Sequence, residues 1–309
     1  MNARTRAAYL GCCLLWGSTW SVIKLGLRDL PPLFFAGSRM LLAALVLLPF
    51  ALRAGLRRQT RPAIGWMAFV GLLQIGIPYA LLFAGQQWVP SGLAAVLFAT
   101  FPVWLVLVAS LLLHDEPLTP RKILAALLGI AGVALLQLPA LRGQALSRLA
   151  ALGGGLVLAA SVTIALANVL VRKKLGAYPP IVIAFVQVSA GALLLAALSS
   201  ALERGRPLAF TPLSVFALVY LAVLGTAVTY LFLFWLIPRV PISAIGAIPL
   251  LDTTVAVILG AAVLGEHLGW PLLAGGALVL GGAALANQAP AEPSPESAGD
   301  QPRASRGLQ

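Results

Sequence analysis

Apolar runs of about 20 residues, each bounded by Pro, Gly or a charge cluster, recur ten times between Ala7 and Asn287, and they dictate the solvent of this chain. A helix crossing roughly 30 Å of hydrocarbon needs a run of that length. With 60% hydrophobic and only 10% charged residues, and a mean hydropathy of +0.97, the bilayer is the medium. Spans are expected near 7–26, 32–52, 64–84, 91–113, 121–139, 150–171, 180–201, 213–236, 241–264 and 268–287. The runs lack the period-two polar alternation of a membrane barrel, so the fold class is an all-α integral membrane protein.

The chain repeats itself at a spacing of 150 residues. Lys24-Leu25-Gly26 returns as Lys174-Leu175-Gly176, Phe35 as Phe185, Glu116 as Glu266 and Gly132 as Gly282. Five spans per repeat is an odd number, so the second copy is inserted upside down. Two copies related by an axis in the membrane plane can open alternately to either side of a shared cavity. The expected organisation is a short N-terminus (1–6), a first five-helix repeat (7–139), a connection (140–149), a second repeat (150–287) and a tail (288–309). The tail is rich in Pro, Ser and Ala and reads as disordered.

A net charge of +12 would suit a nucleic-acid partner, but its placement does not. Most Lys and Arg fall where one face of the membrane would collect them: Arg4 and Arg6, Arg53 to Arg61, Arg121-Lys122, Arg172 to Lys174 and Arg239. By the positive-inside rule both termini are cytoplasmic. The first run lacks a small-residue cleavage site and is followed by Lys24 and Arg28, so it reads as a retained span and not a signal peptide. Cys12 and Cys13 are adjacent inside it, which leaves neither a disulfide framework nor a metal-ligand spacing, and no cofactor is implied.

The segment WGSTWSVIKLGL from Trp16, Arg39 within FFAGSRMLLAAL, Pro102 in the fourth span, Glu116 at its end and Gly129 to Gly132 in the fifth together resemble the EamA-type carriers of the drug/metabolite transporter superfamily. The second half adds LGT at 224–226, LGE at 264–266 and the Gly275 to Gly282 run. The likeness covers residues 7 to 287. It implies ten helices in two inverted five-helix halves, and movement of small metabolites or drugs, usually outward, across a bacterial inner membrane. Family members carry amino acids, sugars, purines and toxic cations, so the resemblance names no substrate. The halves differ in chemistry: Leu166-Ala167 stands where the first has Trp16-Gly17, Ser189 where it has Arg39, and Asp252 where it has Pro102.

Asp252 is the only acidic side chain well inside a span, about 11 residues or roughly 16 Å from its start. A carboxylate at that depth costs several kcal/mol unless it faces a wet cavity, has a cationic partner or binds a proton. It is therefore the candidate proton-coupling group, or a counter-ion for an amine; the plainer reading is an acid held neutral by Thr253, Thr254 or backbone. Arg39 is the only cation at comparable depth. It either snorkels to the interface or pairs with free carbonyls, or clamps a carboxylate or phosphate, or pairs with Asp252. Trp16, Trp20 and Lys24 repeat at i, i+4 and i+8 on one face of the first span, where Trp16 can wall a cavity and Lys24 can snorkel. Gly17 and Ser18 allow close helix approach.

Gln74, Tyr79, Asn168, Gln187, Thr226 and Tyr230 are further polar groups within spans, and each needs a partner in lipid, from a neighbouring helix or from a cavity. Pro78, Pro102 and Pro249 interrupt helices and free carbonyls near the midplane, which makes them candidate hinges. Glu116 and Glu266 end spans, where a carboxylate can hold the amides that open the next helix. An enzyme would need a nucleophile with a base, or clustered ligands, inside the spans, and no such pattern occurs. The function expected is a secondary active exporter of small metabolites or drugs, with protons as the candidate coupling ion, working as a monomer or homodimer. A facilitative uniporter or channel-like permease is the alternative.

Overall fold

A computed structural model describes residues 2–112, 119–141, 145–236, 239 and 242–287, and every element among them is helical. The first half comprises α1 (Ala3–Gly26), α2 (Pro32–Arg53), α3 (Arg61–Gly71), α4 (Ile77–Gln86), α5 (Ser91–Phe98), α6 (Phe101–Leu112) and α7 (Pro120–Leu141). The second comprises α8 (Ala145–Lys174), α9 (Pro180–Leu202), α10 (Pro212–Ala222), α11 (Thr229–Leu236), α12 (Ile242–Leu264) and α13 (Trp270–Asn287). Starts follow local chemistry. Pro32, Pro180 and Pro212 open helices with a residue whose missing N–H has no role there, and the side chains of Asn2, Thr60 and Thr211 cap the amides of Thr5, Ala63 and Ser214.

Three expected spans are interrupted. α3 and α4 form one rod, Arg61–Gln86, through a wide π turn at Leu72–Gly76, and α10 and α11 are joined by another at Val223–Val228. These turns occupy the same place in the two halves. In the first, Pro78 cannot donate to Gln74 and the helix loosens just before it. In the second, Thr226 Oγ1 donates to Leu221 O at 2.9 Å and Thr229 Oγ1 to Leu224 O, so hydroxyls satisfy carbonyls five residues back. The expected span over 91–113 breaks at Ala99-Thr100, two residues before Pro102, which therefore starts a helix instead of bending one. Thr100 Oγ1 donates to Leu97 O at 2.7 Å and accepts from Trp104 Nε1 at 3.0 Å across the break. Pro249, in contrast, lies inside a continuous α12.

Helix extends into both ends of the connection between the halves. α7 continues to Leu141 and α8 begins at Ala145, because Ala145 to Leu152 contains neither Gly nor Pro and is made of good helix formers. Glu116, His114 and the tail from 288 lie outside the described residues.

Among the described residues, six helical stretches are long and apolar enough to cross a bilayer: Pro32–Arg53, Arg61–Gln86, Ser91–Leu112, Arg148–Val171, Pro180–Leu202 and Pro212–Leu233. Two shorter apolar helices, Ile248–Leu264 and Trp270–Leu285, accompany them. In α1 the polar and aromatic run Trp16–Ser21 dilutes the hydropathy. Large apolar side chains such as Leu45, Leu111, Leu193 and Ile258 point outward, as a lipid-facing surface requires, while Phe35, Met40, Phe83 and Leu195 fill the interior.

Helix pairing crosses between the halves. α1 packs on α12 and on α10–α11, α8 on α6 and α4, α2 on α9, and α7 on α13. Small residues set the spacing. At α7–α13 a methyl on Gly132 would stand 2.7 Å from the Gly275 carbonyl, and one on Gly275 would stand 2.9 Å from the Gly132 carbonyl. The two backbones touch there with no room for a side chain.

Candidate functional site

Arg39 sits on α2 with only 2% of its surface exposed, so it does not snorkel. Its Nε donates to Thr226 Oγ1 at 3.1 Å, and one terminal nitrogen reaches the Gly225 carbonyl at 3.5 Å, both within the second π turn. The guanidinium lies 5.4 Å from the Tyr79 ring centre and 5.9 Å from that of Phe83, where the ring quadrupoles favour a cation. Nη1 is buried and has no hydrogen-bond partner. A first-half cation is thus lodged in the loosened turn of a second-half helix. Both acceptors, the Gly225 carbonyl and the Thr226 hydroxyl, belong to that wide turn.

The middle of α1 meets the second half residue by residue. Trp16 stands edge-on to Tyr230, ring centres 6.3 Å apart, and Tyr230 lies within electrostatic reach of Arg39. Gly17 faces α12 so closely that a methyl on it would be 2.6 Å from the Asp252 carbonyl. Ser18 Oγ shares a 2.7 Å hydrogen bond with the Tyr220 hydroxyl. Asp252 is half-buried, and its Oδ1 accepts from Thr253 Oγ1 at 3.4 Å. Among the described residues no ion pair joins Asp252 to Arg39, so the direct pairing considered for them is not made. Trp20 does not share the environment of Trp16: it is buried, tilted against Phe98 at 5.4 Å, and its carbonyl accepts from Gln86 Nε2 at 2.7 Å.

The remaining polar candidates divide. Asn168, the repeat mate of Ser18, donates to Gln74 Oε1 at 3.2 Å and to its own-helix Ile164 carbonyl at 2.8 Å. Ser18 and Asn168 therefore make equivalent contacts, each reaching the rod with a π turn in the opposite half. Gln187 is buried with Nε2 unpartnered, on the part of α9 that packs against Gly71, and the structure does not bring it to Arg39.

Charged side chains at the end of the bundle where α1 finishes act on helix termini. Lys24 does not snorkel: Nζ donates to the carbonyls of Gln86, Gln87 and Val89 at 2.7, 3.2 and 2.9 Å, closing the C-terminus of α4. Glu266 accepts from the amides of Ser91 and Gly92 at 2.6 and 2.9 Å, so the helix it holds is α5 of the first half and not the one that follows it. Glu203 does the same for α2, accepting from Leu33 and Phe34 N at 2.9 and 2.8 Å and from Ser199 Oγ at 2.9 Å. Pro90 and Pro31 precede those helices and offer no side-chain cap, which is the one local signal that a distant carboxylate is needed. A cavity of about 660 Å³ opens at this end between Lys24, Arg28, Trp88, Leu264 and Glu266.

Apolar helices of spanning length, an outward apolar surface and polar side chains gathered inside define a multi-span membrane protein. The sequence profile of the EamA-like transporter family matches the chain twice, over residues 7–138 and 151–288. The chain belongs to that family and is a transporter of the drug/metabolite type. It is 31% identical over 260 residues to the uncharacterized inner membrane transporter YedA of Escherichia coli K12, covering 82% of this chain and 81% of that one. It is 27% identical over 286 residues to the uncharacterized transporter YvbV of Bacillus subtilis 168, covering 92% of each. A probable terminal-alkyne amino-acid exporter of Streptantibioticus cattleyicolor is 28% identical over 274 residues, 88% of this chain and 90% of that one. A solved crystal structure superposes with a TM-score of 0.60 at 22% identity, over 93% of this chain and 97% of that chain, a likeness of fold.

Proposed function

We propose that the protein is a secondary active carrier that exports small amino-acid-like metabolites across a bacterial inner membrane, with both termini cytoplasmic. In this reading its ten spans form two inverted repeats that rock about α1, α2, α8 and α9. The doubled family match, the two π turns at equivalent positions, the crosswise helix pairing and the paired contacts of Ser18 and Asn168 all support the inverted arrangement. So does the end-capping: Lys24, Glu203 and Glu266 act at one end of the bundle, as five spans per half require.

The observation that carries the reading is a set of half-buried polar and aromatic groups within the bundle: Trp16 against Tyr230, Ser18 against Tyr220, Tyr79 beside Arg39, and Asp252 on α12. At the midplane of a bilayer such groups are costly unless they face an internal space. Arg39 offers that space an N–H for a carboxylate, and Asp252 offers an acceptor for an ammonium group or a proton. One half supplies the cation and the other the anion, so a zwitterion bridging them would feel the halves move. The amino-acid exporter among the relatives favours that class of cargo. The test is growth of cells overexpressing the protein on a panel of toxic amino-acid analogues, purines and cationic dyes. Resistance confined to amino-acid analogues is expected; resistance to dyes alone would overturn the substrate class.

A further inference from the structure

The short turn between α4 and α5 is gripped at both of its helix ends by charges from elsewhere in the chain. Lys24, from α1, closes the carbonyl end of α4 with three hydrogen bonds. Glu266, just beyond α12, closes the amide end of α5 with two. Each charge meets the helix end of opposite partial charge, so both contacts are favourable in sign. The seat of Glu266 is built for it. Gly265 has a φ of 68°, in the left-handed region, and this turns the chain so that the Glu266 amide returns to the Gly260 carbonyl at 3.1 Å. A methyl on Gly260 would stand 2.5 Å from Glu266 Oε2.

Lys24 and Glu266 are also close enough to attract one another, yet neither bonds directly to the other; both are spent on backbone. Backbone termini held by single charges can exchange those partners for water when a mouth opens, whereas a dry ion pair broken apart would leave two costly charges. The repeat mate of Lys24 has a different environment: Lys174 is exposed and stands over the Trp66 ring at 5.9 Å. The closed clasp on the Lys24 side thus coexists with an exposed lysine over the Trp66 face on the Lys174 side.

We infer that Lys24 and Glu266 are a latch that holds the Gln87–Pro90 turn against α1 and α12, shuts one mouth of the carrier, and releases during each transport cycle. This rests on the carrier reading above. The latch residues position the α4–α5 corner and do not touch cargo. When the latch opens, the α4–α5 corner separates from α1 and exposes Ser18 and its partner Tyr220 to that side.

Side-specific labelling tests this without knowledge of the cargo. In a Cys12→Ala/Cys13→Ala background, Ser18→Cys is reacted with a membrane-impermeant methanethiosulfonate in right-side-out and inverted vesicles. Lys24→Met and Glu266→Gln are each expected to raise the rate from the Lys24 face about tenfold and to lower it from the opposite face. Glu203→Gln, which weakens a cap outside the latch, is expected to change neither rate by more than about twofold. Glu266→Gln keeps one acceptor oxygen and carries the test if Lys24→Met does not fold. Unchanged rates in a monodisperse Glu266→Gln protein would overturn the latch and leave the carrier reading standing. Rates that rise together from both faces in Lys24→Met and Glu266→Gln would mark a channel and overturn the carrier reading and the latch with it.

Discussion

The guanidinium of Arg39 donates from Nε to Thr226 Oγ1 at 3.1 Å, tying the second helix of one half to the π turn of the other. The bond is buried, and Thr226 meets it while its own hydroxyl donates to Leu221 O. Thr226→Val keeps the volume and removes the acceptor. It is expected to cost about 1–3 kcal/mol, since a buried charged donor loses its best partner. Chemical denaturation in detergent reads the loss. Combined with Arg39→Met, the valine should add little to the loss from Arg39→Met alone; fully additive losses would contradict the pairing.

Among the described residues, Glu203 is the side chain that accepts from the first amides of α2, Leu33 and Phe34, where Pro31 has no capping side chain. Glu203→Ala should destabilise the protein by about 1–2 kcal/mol, the usual cost of a lost cap, and Glu203→Gln by less. A melting midpoint that Glu203→Ala leaves in place would show that water caps α2 equally well.

Two glycines give a matched comparison. A methyl at Gly17 meets the Asp252 carbonyl at 2.6 Å and Val255 Cβ at 2.5 Å, whereas a methyl at Gly155 meets nothing within 4 Å. Gly17→Ala should therefore force α1 from α12 and lower both the melting midpoint and transport. Gly155→Ala should be neutral, or stabilising by up to about 1 kcal/mol through helix propensity. Equal effects at the two sites would mean that α1 and α12 are not in backbone contact.

The helices and most midplane candidates were legible in the chain, because a polar residue in a long apolar run stands out without any knowledge of its neighbours. Arg39, Asp252 and Trp16 stand out in that way. What a side chain does there is legible only as a set of alternatives, of which carbonyl pairing is one that Arg39 makes. Snorkelling is the cheap option for an isolated helix, and Lys24 and Arg39 abandon it only because tertiary packing brings free carbonyls and ring faces within reach. Glu203 escaped notice altogether, since in sequence it is one polar residue in a polar connection and its partners are 170 positions away. The π turns were hidden for a similar reason. Pro78 signals a loosened helix, but Val223–Val228 has no proline, and only the back-bonded threonines distinguish it.

Proton coupling through Asp252, the proposed half-buried acceptor on α12, is tested most directly by transport itself. Purified protein is reconstituted into proteoliposomes, a pH gradient is imposed, and uptake of the cargo named by the resistance screen is followed for the parent and Asp252→Asn. Asp252→Asn should abolish gradient-driven accumulation and retain exchange of cargo at equal pH, because asparagine fills the same site without binding and releasing a proton. Gradient-driven accumulation by Asp252→Asn at the parent rate would contradict the account.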